Sequence, residues 1–325
     1  MFNSNKISYN NNGDKMKKNK TVTIIICTLL IIIAIISIIK IINYIKYRET
    51  YDYKLKQRGY TEEEIISIKK LNDKDINIIL KKDYNEYIVP IIKEKYFIIN
   101  NLNKYLEYIK NNKDKSLKDI VAIVNTRAHE TWYNSPDKTD LSKDSLILTN
   151  KFNSLDNDYE PNDLIDISNI YSYGDNQKLR KVAYDAFVQM FNAAKENNIT
   201  LIINSSYRSY KDQEDTYNKY ISWYGEIETD KIASKPGFSE HQTGLAIDIQ
   251  TYNTTKDNFE NSDAFKWLKN NAYKYGFILR YPKDKEYLTG YKYEPWHYRY
   301  VGIDTAKYIQ ENDITFDEYY AYYIK

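Results

Sequence analysis

Residues 21–39, TVTIIICTLLIIIAIISII, carry no charge. Such a segment has few ways to fold. In hydrocarbon only a helix can satisfy its own backbone without closing a barrel. Nineteen residues at ~1.5 Å each reach roughly 28 Å, about one bilayer core. The alternative is a buried helix of a soluble protein, but such a helix is rarely apolar on every face for so long. Lys6, Lys15, Lys17, Lys18 and Lys20 precede the run, and Lys40, Lys46 and Arg48 follow it. That bias favours an N-terminus in the cytoplasm and the rest of the chain outside. The length of the run and the lack of a small-x-small site after it argue against a cleaved signal peptide. The expected order is a cytoplasmic tail (1–20), a single membrane helix in the lipid bilayer (21–39), a charged stem (40–57), a small helical region (58–114) and a folded domain (115–325).

Cys27, inside the apolar run, is the sole cysteine of the 325 residues. The folded domain therefore has no thiol, so disulfides and cysteine catalysis are excluded there. Cys27 lacks the small preceding residue of a lipidated cysteine. With 47 basic and 45 acidic residues the net charge is +2, which gives no electrostatic case for a nucleic acid partner. The 35 tyrosines are scattered and form no basic-aromatic repeat.

After Gly59, TEEEIISIKKL opens with Thr61 and Glu64 at capping-box spacing. NDKDINIILKK and a third periodic stretch near 91–110 extend this helical region, read as a spacer or as a wall-contact surface. From about 115 the pattern changes. DIVAIVNT reads as a strand, and 132–178 reads as long surface loops. Between Arg180 and Asn197, Ala183, Phe187, Met190, Phe191 and Ala194 recur at helical spacing. LIIN (201–204) reads as a central strand and 211–223 as a short helix. LAIDI reads as a buried strand, 263–275 as a helix, and GFILRY and WHYRYVG as two more strands. With no Gly-rich phosphate loop and no regular βαβ repeat, this order favours an α+β fold built on an antiparallel sheet flanked by helices.

Two of the three histidines lie in two short stretches, SEHQTGLAIDIQ (239–250) and EPWHYRY (294–300). In LAIDI, strand alternation sends Ile247 and Ile249 to one face and Asp248 to the other. A carboxylate there is costly unless paired or metal-bound. Alternation likewise sets His297 and Arg299 on one face and Trp296, Tyr298 and Tyr300 on the other. Gly244 would let the chain turn between His241 and Asp248. Two imidazoles and a carboxylate suit one Zn²⁺ per chain with a position left for water. Glu294, three residues before His297, would accept that water's proton. Arg208, in SSYRSY, is the cation best placed to meet a developing negative charge, or else a surface arginine paired with Asp212 or Glu214. His129 has no partner at useful spacing, and HETWY is not a HExxH motif. These residues point to a zinc hydrolase.

SSYRSYKDQ, KPGFSEHQTGLAIDI and NAYKYGFILRYP…EPWHYRYVG together resemble the VanY-like D-alanyl-D-alanine carboxypeptidases, zinc peptidases that trim peptidoglycan stem peptides. The resemblance spans about 115–322, with a weaker echo in 58–110. It implies the small α+β fold shared with the hedgehog signalling domain. It also implies zinc on His241, Asp248 and His297, a base at Glu294 and transition-state stabilisation by Arg208. Ser239 and Gln213 match positions that resemble substrate-contacting ones. Phe238 departs from the histidine many relatives carry in GHSEH, which is not a family ligand. The expected activity is D,D-carboxypeptidase cleavage on the outer face of the cell membrane. The alternatives are L,D-cleavage of tetrapeptides or a non-catalytic zinc-containing wall-binding module.

Overall fold

The computed structural model describes residues 11–324, so residues 1–10 of the expected tail and the terminal Lys325 lie outside the described residues. The described residues form two compact units divided between Lys93 and Glu94, whereas the change in sequence pattern lies near 115.

In the first unit, helix α1 (Asn11–Arg48) runs well past the expected 21–39. No proline or glycine interrupts it after Lys40, so most of the expected stem is helical. Thr28 and Ser37 turn their hydroxyls onto the Ile24 and Ile33 carbonyls, both at 2.8 Å. This is how such groups are satisfied where water is absent. Among the described residues, Met16–Arg48 is the one helix long and apolar enough to cross a membrane, by length and composition. Four short helices follow: α2 (Tyr51–Gln57), α3 (Glu62–Ile68), α4 (Asp73–Leu80) and α5 (Ile88–Ile92). Thr61 and Glu64 form the expected capping box at the start of α3. Ile65, Ile68, Ile76 and Ile79 are buried.

The second unit begins with α6 (Leu102–Lys110) and α7 (Leu117–Asn125). The periodic stretch expected near 91–110 is therefore broken: α5 ends at Ile92, and a 3₁₀ turn at Ile99–Asn101 leads into α6. DIVAIVNT is α7 rather than a strand. Ser116 caps it by accepting from the Asp119 amide, and every residue from Ile120 to Asn125 is buried. A run apolar on all sides has no period by which to tell helix from strand. Residues 132–178 are less superficial than expected. Short strands β1 (Asp137–Lys138) and β2 (Asn153–Ser154) pair in parallel, and β3 (Leu164–Asp166) pairs antiparallel with β4 (Lys178–Arg180). Between β1 and β2, Leu148 to Phe152 are buried. The buried Lys151 donates to the Asp230 carbonyl at 2.6 Å and lies over the Tyr291 ring.

After α8 (Lys181–Lys195) come β5 (Ile202–Ser205), α9 (Tyr210–Tyr224), α10 (Glu226–Thr229) and β6 (Ala246–Gln250). Helix α11 (Asp263–Asn271), strand β7 (Phe277–Leu279), helix α12 (Glu286–Thr289) and strand β8 (His297–Tyr300) follow. Helices α13 (Ile303–Asn312) and α14 (Phe316–Tyr323) close the unit. The main sheet is antiparallel with strand order β5-β6-β8-β7, which makes the fold α+β as expected. LIIN is therefore an edge strand, and LAIDI is central. The β5 edge is covered because Ile203 exchanges backbone hydrogen bonds with Tyr171 and Tyr173, which blocks further strand pairing.

One sheet face buries Ile247, Ile249, Phe277 and Tyr298 against α8 and α11 through Phe187, Met190, Phe265 and Leu268. The opposite face carries Asp248, His297 and Arg299. Putting polar groups on that face is possible because strand side chains alternate.

Candidate metal centre

Asp248 on β6 and His297 on β8 are register partners across the sheet, so their side chains project side by side. His241 arrives from the 3₁₀ turn Glu240–Thr243, which ends at Gly244 in the left-handed region (φ +64). A Cβ at Gly244 would stand 2.8 Å from Leu164 Cδ2 and 2.9 Å from Arg180 Cγ. Arg180 cannot swing away freely, because Asp163 and Asp144 hold its guanidinium at 2.8 and 2.6 Å. Gly244→Ala is therefore expected to destabilise the unit by about 1–3 kcal/mol through backbone strain and overpacking. Thermal unfolding checks this: the melting temperature should fall by several degrees, and an unchanged value would refute the packing argument.

The His241, Asp248 and His297 donor atoms lie within 4.8 Å of one another, and all three residues are buried. His241 Nε2 is 3.5 Å from Asp248 Oδ1, and His297 Nδ1 is 3.1 Å from the same oxygen. His241 Nδ1 faces the Ser206 carbonyl at 2.7 Å. A carbonyl only accepts, so Nδ1 carries the proton and leaves the Nε2 lone pair for a cation. Burial pulls His241 down to about 4, helped by Arg208, which keeps that lone pair available. Burial opposes a charged His297, yet the carboxylates of Asp248 and Glu240 outweigh it and raise the group to about 9. Against burial, Lys256 and the two histidines hold Asp248 well below the usual carboxylate range. The cluster is thus a buried anion facing one neutral imidazole, His241, and a second, His297, that releases a proton when it binds a cation, a donor set that fits Zn²⁺. Among the described residues it is the single such cluster, consistent with one zinc site per chain.

Glu294 brings its Oε2 to 3.7 Å from His297 Nδ1. Burial pushes this carboxyl up to about 7; His297, Lys256 and Arg208 oppose the rise and Asp248 adds to it. Arg208 does not pair with Asp212 or Glu214. It donates to Gln213 Oε1 at 2.8 Å and to Ser205 Oγ at 2.9 Å. Gln213 is in turn fixed through Nε2 to the Ser234 carbonyl at 2.7 Å. Ser239 accepts from the His241 amide and so caps the turn that delivers this ligand. All seven singled-out residues line one pocket. His129 lies outside it and sits against Tyr108 and Glu130.

Sequence reasoning missed two groups here. Lys256 donates to Asp248 Oδ2 at 2.8 Å, and nothing in the polar loop TTKDN marks it. Glu240 is fully buried between Arg280 and Arg299. Its place beside His241 in SEHQ and the shared face of Arg299 and His297 were the available signals.

Residues 176–303 match the family described as VanY: D-alanyl-D-alanine carboxypeptidase. Over 184 residues the chain is 46% identical to "Putative carboxypeptidase YodJ" of Bacillus subtilis (strain 168), covering 54% of this chain and 66% of that protein. Over 188 residues it is 36% identical to a D-alanyl-D-alanine carboxypeptidase of Enterococcus faecium, covering 58% of this chain and 55% of the relative. The chain thus spans between about half and two thirds of the length of these curated relatives. Among solved structures, the LdcB LD-carboxypeptidase superposes with a TM-score of 0.54 at 41% identity, over 58% of this chain and 91% of that one. The matched segment carries every donor of the metal cluster on its central strands and the turn before them, and the chain belongs to the VanY family of D-alanyl-D-alanine carboxypeptidases.

Proposed function

We propose that the second unit is a zinc-dependent carboxypeptidase that releases the terminal D-Ala of peptidoglycan stem peptides. The observation that carries this is the convergence of His241, Asp248, His297 and Glu294 in one pocket, inside the segment shared with the family. When bound, zinc supplies a Lewis acid for the scissile carbonyl and an acidified water. Glu294 takes the proton of the attacking water and hands it to the departing amine, a task suited to a carboxyl poised near neutrality. Arg208, held by Gln213 and Ser205, presents its guanidinium to the oxygen on which negative charge develops. Ser239 and Gln213, both on the pocket wall, bear on the bound peptide.

L,D-cleavage of a tetrapeptide is the leading form of this reading, because the superposed LD-carboxypeptidase shares 41% identity over 91% of its length. D,D-cleavage of a pentapeptide is the second, supported by the family description and the enterococcal relative. The full chain in detergent, loaded with zinc, should release D-Ala from at least one of the two peptides offered in parallel. Faster release from the tetrapeptide supports L,D-cleavage, and the reverse order supports D,D-cleavage. No release from either peptide would sink the carboxypeptidase reading.

The proposed layout keeps a cytoplasmic tail over 1–20, a single membrane helix over 21–39 and the catalytic domain over 115–325 on the outer face. Its support is the apolar α1, the lysines before residue 21 and a substrate that occurs outside the cytoplasm.

A further inference from the structure

Glu240 stands next to His241 in sequence, yet its carboxylate turns towards His297. Its Oε1 accepts from Arg280 Nε at 2.7 Å and from Arg299 Nη1 at 3.1 Å. Both guanidiniums are as buried as Glu240 itself and are committed elsewhere. Arg280 also holds Asp317, at 2.6 and 3.3 Å. Arg299 donates to the Ser145, Ile147 and Tyr300 carbonyls. Glu240 Oε1 is therefore doubly satisfied, while Oε2 is buried with no hydrogen-bond partner. His297 Nε2 is buried and unpartnered as well, and the two atoms face each other at 3.6 Å. Buried polar atoms are rarely left without a partner. Here two orphans of complementary character point at one another, while the other ring nitrogen of His297 points at Asp248.

We propose that Glu240 is a positioning residue that holds the His297 proton on Nε2 and so reserves Nδ1 for the metal ion. An acceptor on the far ring nitrogen fixes both the tautomer and the ring plane of a metal-bound histidine. The two arginines make Glu240 a rigid acceptor, because its carboxylate cannot rotate without abandoning them. The chain thus has two ways of orienting its histidines: a backbone carbonyl behind His241 and a buried carboxylate behind His297. This inference rests on the zinc reading of the cluster and is independent of which peptide is cleaved.

The test compares the detergent-solubilised full chain with Glu240→Gln and with Asp317→Asn, which disturbs the same ionic network away from His297. Zinc affinity is read by chelator competition, stability by thermal unfolding of the metal-free protein, and tautomers by ¹⁵N spectra of histidine-labelled, zinc-loaded protein. Both variants should lower the melting temperature. Glu240→Gln alone should weaken zinc binding, by ~10–100-fold, and shift the His297 nitrogen signals. Zinc binding by Glu240→Gln within twofold of wild type, or an equal loss in Asp317→Asn, would overturn the proposal. Should Glu240→Gln fail to fold, the wild-type spectrum decides: an unprotonated His297 Nε2 refutes the proposal and a protonated one supports it. A wild-type chain that takes up no zinc would instead remove the zinc site on which the inference stands.

Discussion

Replacing Glu294 with alanine is expected to leave one zinc ion per chain and to cut turnover by ~10²-fold or more, the usual worth of a positioned general base. The expectation follows from where the carboxyl sits. It is 3.7 Å from a donor histidine yet outside the three-residue donor cluster, so its loss removes a proton acceptor without removing a ligand. Burial holds it near neutrality, where it can both accept a proton and give it back. Glu294→Gln, which keeps the shape, should be as inactive as Glu294→Ala. Metal content by elemental analysis and D-Ala release measured on the same preparation check this. Activity close to wild type in either variant would remove Glu294 from the reaction. A wild type with full zinc and no turnover on any stem peptide would favour a non-catalytic zinc-containing wall-binding module.

The second large effect concerns the donors themselves. His241→Ala, Asp248→Ala and His297→Ala should each empty most of the zinc site and abolish activity, while His129→Ala should leave both unchanged. Asp248→Ala should be the most severe. It removes the sole anion of the cluster and also takes from Lys256, whose side chain is 37% exposed, the carboxylate to which it donates at 2.8 Å. Because Lys256 keeps access to water, losing its partner should cost only ~1 kcal/mol or less, so this variant should stand out by zinc loss rather than by its melting temperature. Zinc titration and thermal unfolding of the four variants decide the matter. Full occupancy in all three donor variants would refute the assignment, and zinc loss in His129→Ala would show that occupancy reports general damage.

The metal cluster was legible in the sequence because strand alternation is a local rule. Ile247 and Ile249 must share a face, so Asp248 must take the other, and the same logic separates His297 from Trp296 and Tyr298. Helix α8 was legible for the same kind of reason, from its apolar spacing. Two other elements obeyed no local rule. Helix α7 is buried without a break from Ile120 to Asn125, which blurs over that run the period that tells helix from strand, and its Ser116 cap is the local signal that betrays it. The position of LIIN within the sheet depends on which strand lies beyond it, which composition does not encode. Glu240 stayed hidden because its partners Arg280 and Arg299 lie 40 and 59 residues away in sequence. A glutamate beside a histidine reads as solvent-exposed until the fold brings two guanidiniums to it.

The register pairing of Asp248 with His297 also bears on quality control. A one-residue slip of β8 against β6 would turn His297 into the apolar layer and bring Trp296 or Tyr298 to its place. Such a sheet could keep many of its backbone hydrogen bonds, but it would present one donor fewer to the cation. Metal uptake would then act as a proofreading step, rewarding the one strand alignment that brings the donors together and leaving mispaired chains unloaded.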